Sequence, residues 1–427
     1  MRKKLFALVD CNNFYVSCER AFNASIQKRP VVVLSNNDGC IVARSNEAKK
    51  LGFKMGQPIF QCKNIINQHN VQVFSSNYSL YADMSARVTH ILSRFSPLLE
   101  KYSIDEAFLE LTNMSIDDLT EFGQEIRSRV MQHTGIPVSV GIAATKCLTK
   151  IATEIVKKDP SFGGVLDISA YENPQVDALL ERVLVEDVWG IGRKYTLFLN
   201  NYGVRSAKDL KYADQKWIRR YLTITGERIV LELNGTSCMP LETDAQPKKG
   251  IMCSKSFGKE ITDKDGLREA VATYTARAAE KLRQQESQAA EITIFINTNR
   301  FKSSDAQYSN SFTIEIPYPT AYTPELIKCA IKGLNAIYRD GYKYKKAGVY
   351  LTKISSEESV QPDLFGEFSI GAHNREARLM YIVDAINRIY GRDTIFFATQ
   401  GVTRNWAMRQ RKLSQHFTTK WDELLKV

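Results

Sequence analysis

Asp10 closes a short apolar run, Leu5-Phe-Ala-Leu-Val-Asp10, and two further carboxylates stand side by side in Tyr102-Ser-Ile-Asp-Glu-Ala-Phe108. Adjacent carboxylates repel each other and raise a pKa unless something positive pairs with them. A hard divalent cation does this. Magnesium takes oxygen ligands in octahedral geometry, usually one or two carboxylates plus substrate phosphates. Asp10, Asp105 and Glu106 at the edge of one sheet could hold two such ions about 3.5–4 Å apart, one lowering the pKa of an attacking hydroxyl and the other neutralising a leaving pyrophosphate. Asp-Glu pairs are also common in solvated turns, and the pair alone leaves both readings open.

Such a constellation needs a sheet to hold it. Residues 5–10 read as a short buried strand, with a helix near Phe14–Phe22 and a second strand at Val31–Leu34. Asn36-Asn37-Asp38-Gly39 is a turn signal. Helical periodicity covers Tyr78–Phe95, Asp117–His133 and Lys146–Lys157, while Leu98–Ser103, Ala107–Leu111 and Pro137–Ile142 read as strands. Strands and helices thus alternate over the first 170 or so residues, as in an α/β or α+β sheet domain. Residues 187–210 carry Trp189-Gly-Ile-Gly-Arg193 and then Tyr202-Gly-Val204, a small helical module with a Gly-rich hairpin. From 251 to 354 the pattern is βαββαβ, a ferredoxin-like split unit. A polar, acidic linker follows at 355–365, then a tail with one helix near Glu376–Tyr390.

Composition narrows the class. The 427 residues are 44% hydrophobic and 25% charged, which excludes wholesale disorder and suggests several domains. No apolar stretch approaches the roughly 20 residues of a membrane span, and the run after Met1-Arg-Lys-Lys ends at Asp10, too early for the core of a signal peptide. Eight cysteines without a Cys-x-x-Cys give no zinc ribbon and no disulfide framework, as expected in a reducing cytosol. The net charge is +11, concentrated in 247–353 and in the tail, with an acidic gap between them. A surface that tracks a phosphate backbone has this distribution, although a solvated basic surface has it too.

Read together, Leu8-Val-Asp10-Cys-Asn-Asn-Phe-Tyr15, Val42-Ala-Arg44-Ser-Asn46-Glu-Ala48, Ser103-Ile-Asp105-Glu106-Ala-Phe108, Val140-Gly-Ile142 with Lys146 and Lys150, and Trp189-Gly-Ile-Gly192 resemble the Y-family translesion DNA polymerases. Cys40, Tyr81-Ala-Asp-Met-Ser85 and Asp187-Val-Trp-Gly-Ile-Gly-Arg193 look most like the bacterial UmuC-like branch. The resemblance covers essentially the whole chain. It implies an α+β multidomain right hand: palm at 1–15 and 75–179, fingers at 16–74, a helical thumb with a helix-hairpin-helix at 180–246, and a βαββαβ little finger at 247–354. A linker at 355–365 and a partner-binding tail at 366–427 would complete it. It implies error-prone addition of deoxynucleotides opposite damaged template bases, in the SOS response, by a soluble cytoplasmic enzyme associated with the nucleoid.

The same resemblance implies roles residue by residue. Asp10, Asp105 and Glu106 would bind two Mg2+ ions, with the backbone carbonyl of Cys11 as a further ligand. Tyr15 would be the steric gate, its ring occupying the space of a ribose 2′-OH, which is rejection by a clash; by residue type alone it is a core aromatic. Asn46, Lys49 and Lys157 would contact the triphosphate. Here the chain departs from the family, which more often has a Tyr in place of Asn46 and an Arg in place of Lys49, and Lys lacks the bidentate fork of Arg. Lys158 leaves the register of Lys157 open by one residue, and a lysine at a helix C-terminus also simply complements the dipole. Gly190, Gly192 and Arg193 would meet DNA phosphate, since glycines let a backbone approach it and helix-start N–H groups bind it; Gly-x-Gly is otherwise a plain capping turn. Gln361-Pro-Asp-Leu364-Phe365 resembles the peptides that bacterial polymerases insert into the sliding clamp. Primer–template DNA, deoxynucleoside triphosphates, the clamp, a UmuD′-like dimer and RecA are the implied partners, with no membrane. Two other readings remain: a palm-type nucleotide cyclase, and a non-catalytic DNA-binding scaffold that keeps the fold.

Overall fold

Strand β1 (Phe6–Cys11) is buried along its whole length and lies at the centre of a five-stranded sheet. Its neighbours are β6 (Glu106–Glu110) and β7 (Val138–Ala143), both antiparallel to it, with β5 (Leu99–Lys101) beyond β6 and β8 (Val165–Asp167) beyond β7. Three further strands, β2 (Val31–Leu34), β3 (Ile41–Arg44) and β4 (Gln72–Ser75), form a second sheet in the order β3-β2-β4. The helices of this part are α1 (Phe14–Ala21), α2 (Asn46–Lys50), α3 (Lys63–Gln68), α4 (Tyr78–Leu92), α5 (Leu119–Thr134), α6 (Lys146–Lys158), α7 (Asn173–Glu181), α8 (Arg193–Asn201), α9 (Ala207–Lys211) and α10 (Gln215–Leu233). The computed structural model describes residues 4–244, 246–359 and 369–425. The chain divides into two units, Met1–Ala245 with Arg411–Val427, and Gln246–Gln410.

The period of two along a strand sorts the central sheet into two faces. Ala7, Val9, Ala107, Leu109, Val140 and Ile142 pack into one cluster with Leu80, Met84 and Val88 of α4 and Ile126 and Val130 of α5. The alternate set, Leu8, Asp10, Glu106, Phe108, Ser139 and Gly141, is aligned across the three strands and meets α6. Gly141 makes that meeting possible. A Cβ there would lie 2.4 Å from the carbonyl oxygen of Thr149 and 2.7 Å from the backbone nitrogen of Thr153, so only glycine lets the helix rest directly on the sheet. The ends of α5 and α6 are locally encoded. Asp118 caps α5 through the N–H groups of Thr120 and Glu121, Gly135 ends it at φ 68°, and Thr145 caps α6 through Leu148 N–H.

A buried carboxylate ties α10 to the sheet domain. Glu232 is fully buried and accepts N–H groups from Cys147, Cys238 and Met239, while its own carbonyl accepts from Thr145 Oγ1. Lys146 and Glu100 form a buried ion pair, and Pro240 O and Glu242 N–H complete their partners at 2.8 Å each.

The second unit contains β9 (Ile251–Ile261), α11 (Lys264–Gln284), β10 (Ser287–Thr298), β11 (Ser309–Thr320), α12 (Thr323–Ile337) and β12 (Tyr344–Ser356), the βαββαβ order expected. Its sheet runs β11-β10-β12-β9 with every pairing antiparallel. β9 and β10, joined by α11, are therefore split in the sheet by β12. Helix α13 (Ile370–Ile389) docks on α11 through a two-pronged Arg283–Asp384 pair at 2.7 and 2.8 Å. Asp393 links Arg277 to Arg404, and Trp406 is buried against Tyr274. The tail is thus shared between the units at residue 410. Among the described residues no helix is long and apolar enough to cross a membrane.

The contact between α6 and the sheet predicts the effect of filling it. Gly141→Ala is expected to lower stability by about 1–3 kcal/mol, the usual cost of overpacking a close-packed contact, read as a shift in the urea midpoint of the unit.

Candidate functional site

Asp10 and Glu106 are register partners across β1 and β6, and Cys11 N–H donates to the carbonyl of Asp105 at 2.8 Å. The two strands therefore bring all three carboxylate residues to one end of one sheet. The bend before β6 is set by Ser103, whose hydroxyl donates to Asp105 Oδ1 at 2.6 Å and accepts the Glu106 N–H at 3.0 Å. Asp10 is 7% exposed. Burial pushes its pKa up to about 7, with Glu106 and Asp105 adding to the rise and the Lys157 ammonium opposing it. The Cys11 thiol is buried, and burial followed by Asp10 pushes its pKa well up, so the side chain stays a neutral thiol and only its backbone is suited to a hard cation.

Helix α6 answers this charge from above. Lys157 Nζ donates to Asp10 Oδ2 at 2.6 Å and Lys150 Nζ to Glu106 Oε1 at 2.8 Å. Lys158 turns away to Asp187 and Glu154, so of the two adjacent lysines it is Lys157 that reaches Asp10. With the ammonium groups seated, no three His, Cys, Asp or Glu side chains among the described residues converge on a metal position. The donor set nevertheless fits a hard divalent cation: three carboxylates, at least one of them destabilised as an anion by burial and by its neighbours, each seeking positive charge.

Lys49, on α2, faces the same end. Its pKa is lowered by burial and then by the positive charges of Arg44 and Lys157. Positive charge on both sides of Lys49 favours an anion beside it. Asn46 starts α2 and accepts from Asn13 Nδ2 at 3.2 Å, which links it to the start of α1. Tyr15, on α1, stacks on Tyr81 with ring centres 4.4 Å apart and planes 15° from parallel, and Tyr78 meets it edge-on. Gly190 has φ 89° and lies where a Cβ would strike Ile229, and Gly192 caps α8 immediately before Arg193. These three are not beside the carboxylates, but Trp189 connects them: its Nε1 donates to Tyr102 OH at 2.9 Å, and Lys150 lies over the Tyr102 ring at 4.4 Å and the Trp189 ring at 5.4 Å. Gln361, Leu364 and Phe365 lie outside the described residues.

Sequence reasoning quoted Arg44, Lys150 and Ser103 within motifs but gave none of them a role at the site. A basic residue on a short strand, a lysine on a helix and a serine in a turn have ordinary explanations, and only the fold places them. It also passed over Glu19. This α1 residue is 2% exposed, and its Oε1 accepts from Tyr81 OH at 2.6 Å and from Ser414 Oγ at 3.1 Å.

Models of the impB/mucB/samB family match residues 9–154, and those of the family's C-terminal domain match 248–364; a domain of unknown function matches 377–427. The chain is 43% identical to Protein UmuC of Salmonella typhimurium over 99% of its length and all of that protein's. It is 42% identical to Protein ImpB of Salmonella typhimurium, over 98% of this chain and 99% of that one. DNA polymerase IV 1 of Bacillus subtilis is 27% identical over 69% of this chain and 70% of its own. Among solved structures, a Y-family DNA polymerase chimera built on Dbh superposes with a TM-score of 0.65 at 21% identity, covering 82% of this chain and 99% of its own. An insertion ternary complex of Dbh DNA polymerase gives 0.55 over the same share of this chain.

Burial pushes the Glu19 carboxyl up to about 7 against the hydrogen bonds from Tyr81 and Ser414. The folded chain therefore holds this proton at pH values where the unfolded chain, with an ordinary glutamate near 4.5, has released it. Stability from this group falls as pH rises between the two values and stays reduced above 7. Glu19→Gln retains the acceptor without the charge. Its melting temperature should exceed that of the parent above pH 7, and the difference should shrink toward pH 5.

Proposed function

Because the chain belongs to the impB/mucB/samB family of Y-family DNA polymerases, we propose that it is an error-prone, DNA-directed DNA polymerase that copies damaged templates in the SOS response. The observation that carries this is the register pairing of Asp10 with Glu106, with Asp105 beside them, Lys157 on Asp10, and Lys49 close enough to feel the charges of Lys157 and Arg44. Carboxylates beside lysines suit a reaction that uses a triphosphate and expels pyrophosphate.

In this reading Asp10, Asp105, Glu106 and the Cys11 carbonyl hold two Mg2+ ions, which when bound lower the pKa of the primer 3′-hydroxyl and offset the charge of the leaving group. The remaining roles belong to the chain itself. Lys49 and Lys157 hold the triphosphate, with Asn46 at the start of α2 beside them and Arg44 adding charge that the motif alone did not assign. Holding the triphosphate in place spares the entropy of a bimolecular encounter. Lys150 pairs with Glu106 and orients it. Tyr15 excludes a ribose by occupying the space of its 2′-hydroxyl.

Primer–template DNA is the macromolecular substrate. In the first unit the Gly190–Arg193 turn offers the free N–H groups of the α8 start to a phosphate. In the second unit Lys255 is lowered by burial and then by Arg392 and Arg277, and Lys345 by burial and then by Arg409 and Lys302. Positive charge crowded to its own cost is explained by a polyanion that relieves it. Such contacts position DNA without reading its sequence, which suits bypass of bases that carry no readable edge. The Gln361–Phe365 peptide would dock in the sliding clamp, and the tail would meet a UmuD′-like dimer and RecA. The cytoplasm, on nucleoid DNA, is the expected location.

The test is primer extension across a template abasic site with magnesium, with clamp, UmuD′ and activated RecA both present and absent. The parent is expected to extend, and Asp105→Ala/Glu106→Ala is expected to lose extension by a factor of about 1000 or more while binding primer–template as before. No extension by the parent with every partner present would sink the assignment. Tyr15→Ala is expected to raise ribonucleotide incorporation sharply.

A further inference from the structure

Residues 411–417 are held on the first unit by a line of polar contacts. Asp38 accepts the Arg411 N–H at 2.9 Å, and Ser75 exchanges hydrogen bonds with Lys412, its N–H donating to the Lys412 carbonyl at 2.9 Å and its hydroxyl accepting the Lys412 N–H at 3.0 Å. The Asn77 side chain caps α4 through Leu80 N–H and donates to Ser414 Oγ, Ser414 O and Gln415 O. Phe417 stacks on Phe22 at 4.9 Å, with planes 10° apart. At the centre of this line Ser414 Oγ reaches inward to Glu19, which also holds Tyr81, and Tyr81 lies flat against Tyr15.

This chain of contacts has a direction. Tyr81 is fully buried on α4 and Glu19 is buried on α1, so their hydrogen bond joins the helix that carries Tyr15 to the helix whose Tyr81 ring backs it. Tyr15 itself is only half-buried, with the broad face of Tyr81 behind it and Tyr78 edge-on to it. Rejection by a clash works only while the clashing ring cannot yield. A ring whose support tilts by even a fraction of an ångström gives the 2′-hydroxyl room.

We propose that Ser414, Glu19 and Tyr81 are positioning residues for sugar selection: the docked C-terminal tail, through Ser414 and Glu19, locks the Tyr81 ring that backs Tyr15, so that discrimination against ribonucleotides depends on a segment some 400 residues away in sequence from the gate. The proposal rests on Tyr15 being the gate, and it goes beyond that reading by giving the tail a part in substrate choice.

The experiment is single-nucleotide insertion on one primer–template, measuring kcat/KM for a deoxynucleotide and for the matching ribonucleotide under conditions where the parent extends. Tyr15→Ala is the control. Tyr81→Phe keeps the stack but loses the hydrogen bond, Ser414→Ala removes only the tail's link, and Glu19→Leu removes the acceptor. Each is expected to lower the deoxy-to-ribo ratio about three- to tenfold, the worth of one buried hydrogen bond. The change should fall mainly on the ribonucleotide, with Ser414→Ala leaving deoxynucleotide insertion unchanged. Glu19→Gln, whose amide oxygen still accepts from both hydroxyls, should keep the ratio within about twofold of the parent. A merely structural role would lower both nucleotides together and leave the ratio fixed. If Tyr15→Ala lowers the ratio but Tyr81→Phe and Ser414→Ala do not, the positioning chain is wrong and the gate stands. If Tyr15→Ala changes nothing, the gate reading falls first.

Discussion

Negative charge buried at the end of a sheet is the constraint on which the first unit is organised. Three carboxylate residues reach one edge because β1 and β6 pair in register and because the backbone of Asp105 is tied to Cys11. Left alone they would repel one another. The compensation comes from α6, which carries Lys150 and Lys157 seven residues apart, two turns along one face. That face reaches the strand ends only because the helix rests on Gly141. The Val140-Gly-Ile142 motif and the lysines that follow it are therefore one device: glycine sets the approach and the lysines use it.

What could be read in the sequence was what is local. Asp10 at the end of an apolar run and Asp105-Glu106 in a turn announced themselves by type, and the long elements of the second unit by their periodicity. Which carboxylate would face which was not legible, because strand register is a non-local choice that no spacing encodes. The short elements β3, β4, β8, α2, α3 and α9 have too few residues to show a period, and the αL conformations of Asn37 and Asp38 turn the chain between β2 and β3. Glu19 was hidden for a different reason. A glutamate on an amphipathic helix reads as solvated, and its burial follows from Tyr81 and Ser414, residues brought to it from 62 and 395 positions away. Lys157 and Lys158 could not be told apart by pattern and were separated at once by their partners.

The second unit shows the same physics with the opposite sign. Its lysines and arginines repel one another, and Asp384 and Asp393 answer only part of that charge by pairing with Arg283, Arg277 and Arg404. Those pairs fasten α13 and the chain after it to α11, so acidic residues of the tail are used internally. Around Lys255 and Lys345, burial and neighbouring cations together lower the lysines from their ordinary values.

The two ends of the tail are held by different means. Residues 370–409 are anchored by charged pairs and by the buried Trp406 ring, whereas 411–417 are held by neutral or backbone hydrogen bonds and one aromatic stack. Segments with few buried apolar contacts open locally at a smaller free-energy cost than the core around them. Detaching 411–417 would leave the contacts among the three carboxylates, Lys150 and Lys157 as they are, since those contacts do not involve the tail. It would remove one of the two donors to Glu19 and with it part of the support behind Tyr15. On the proposed reading, chemistry and sugar choice would be supported by separate parts of the same unit, the first by the core sheet and the second by a strap laid across it.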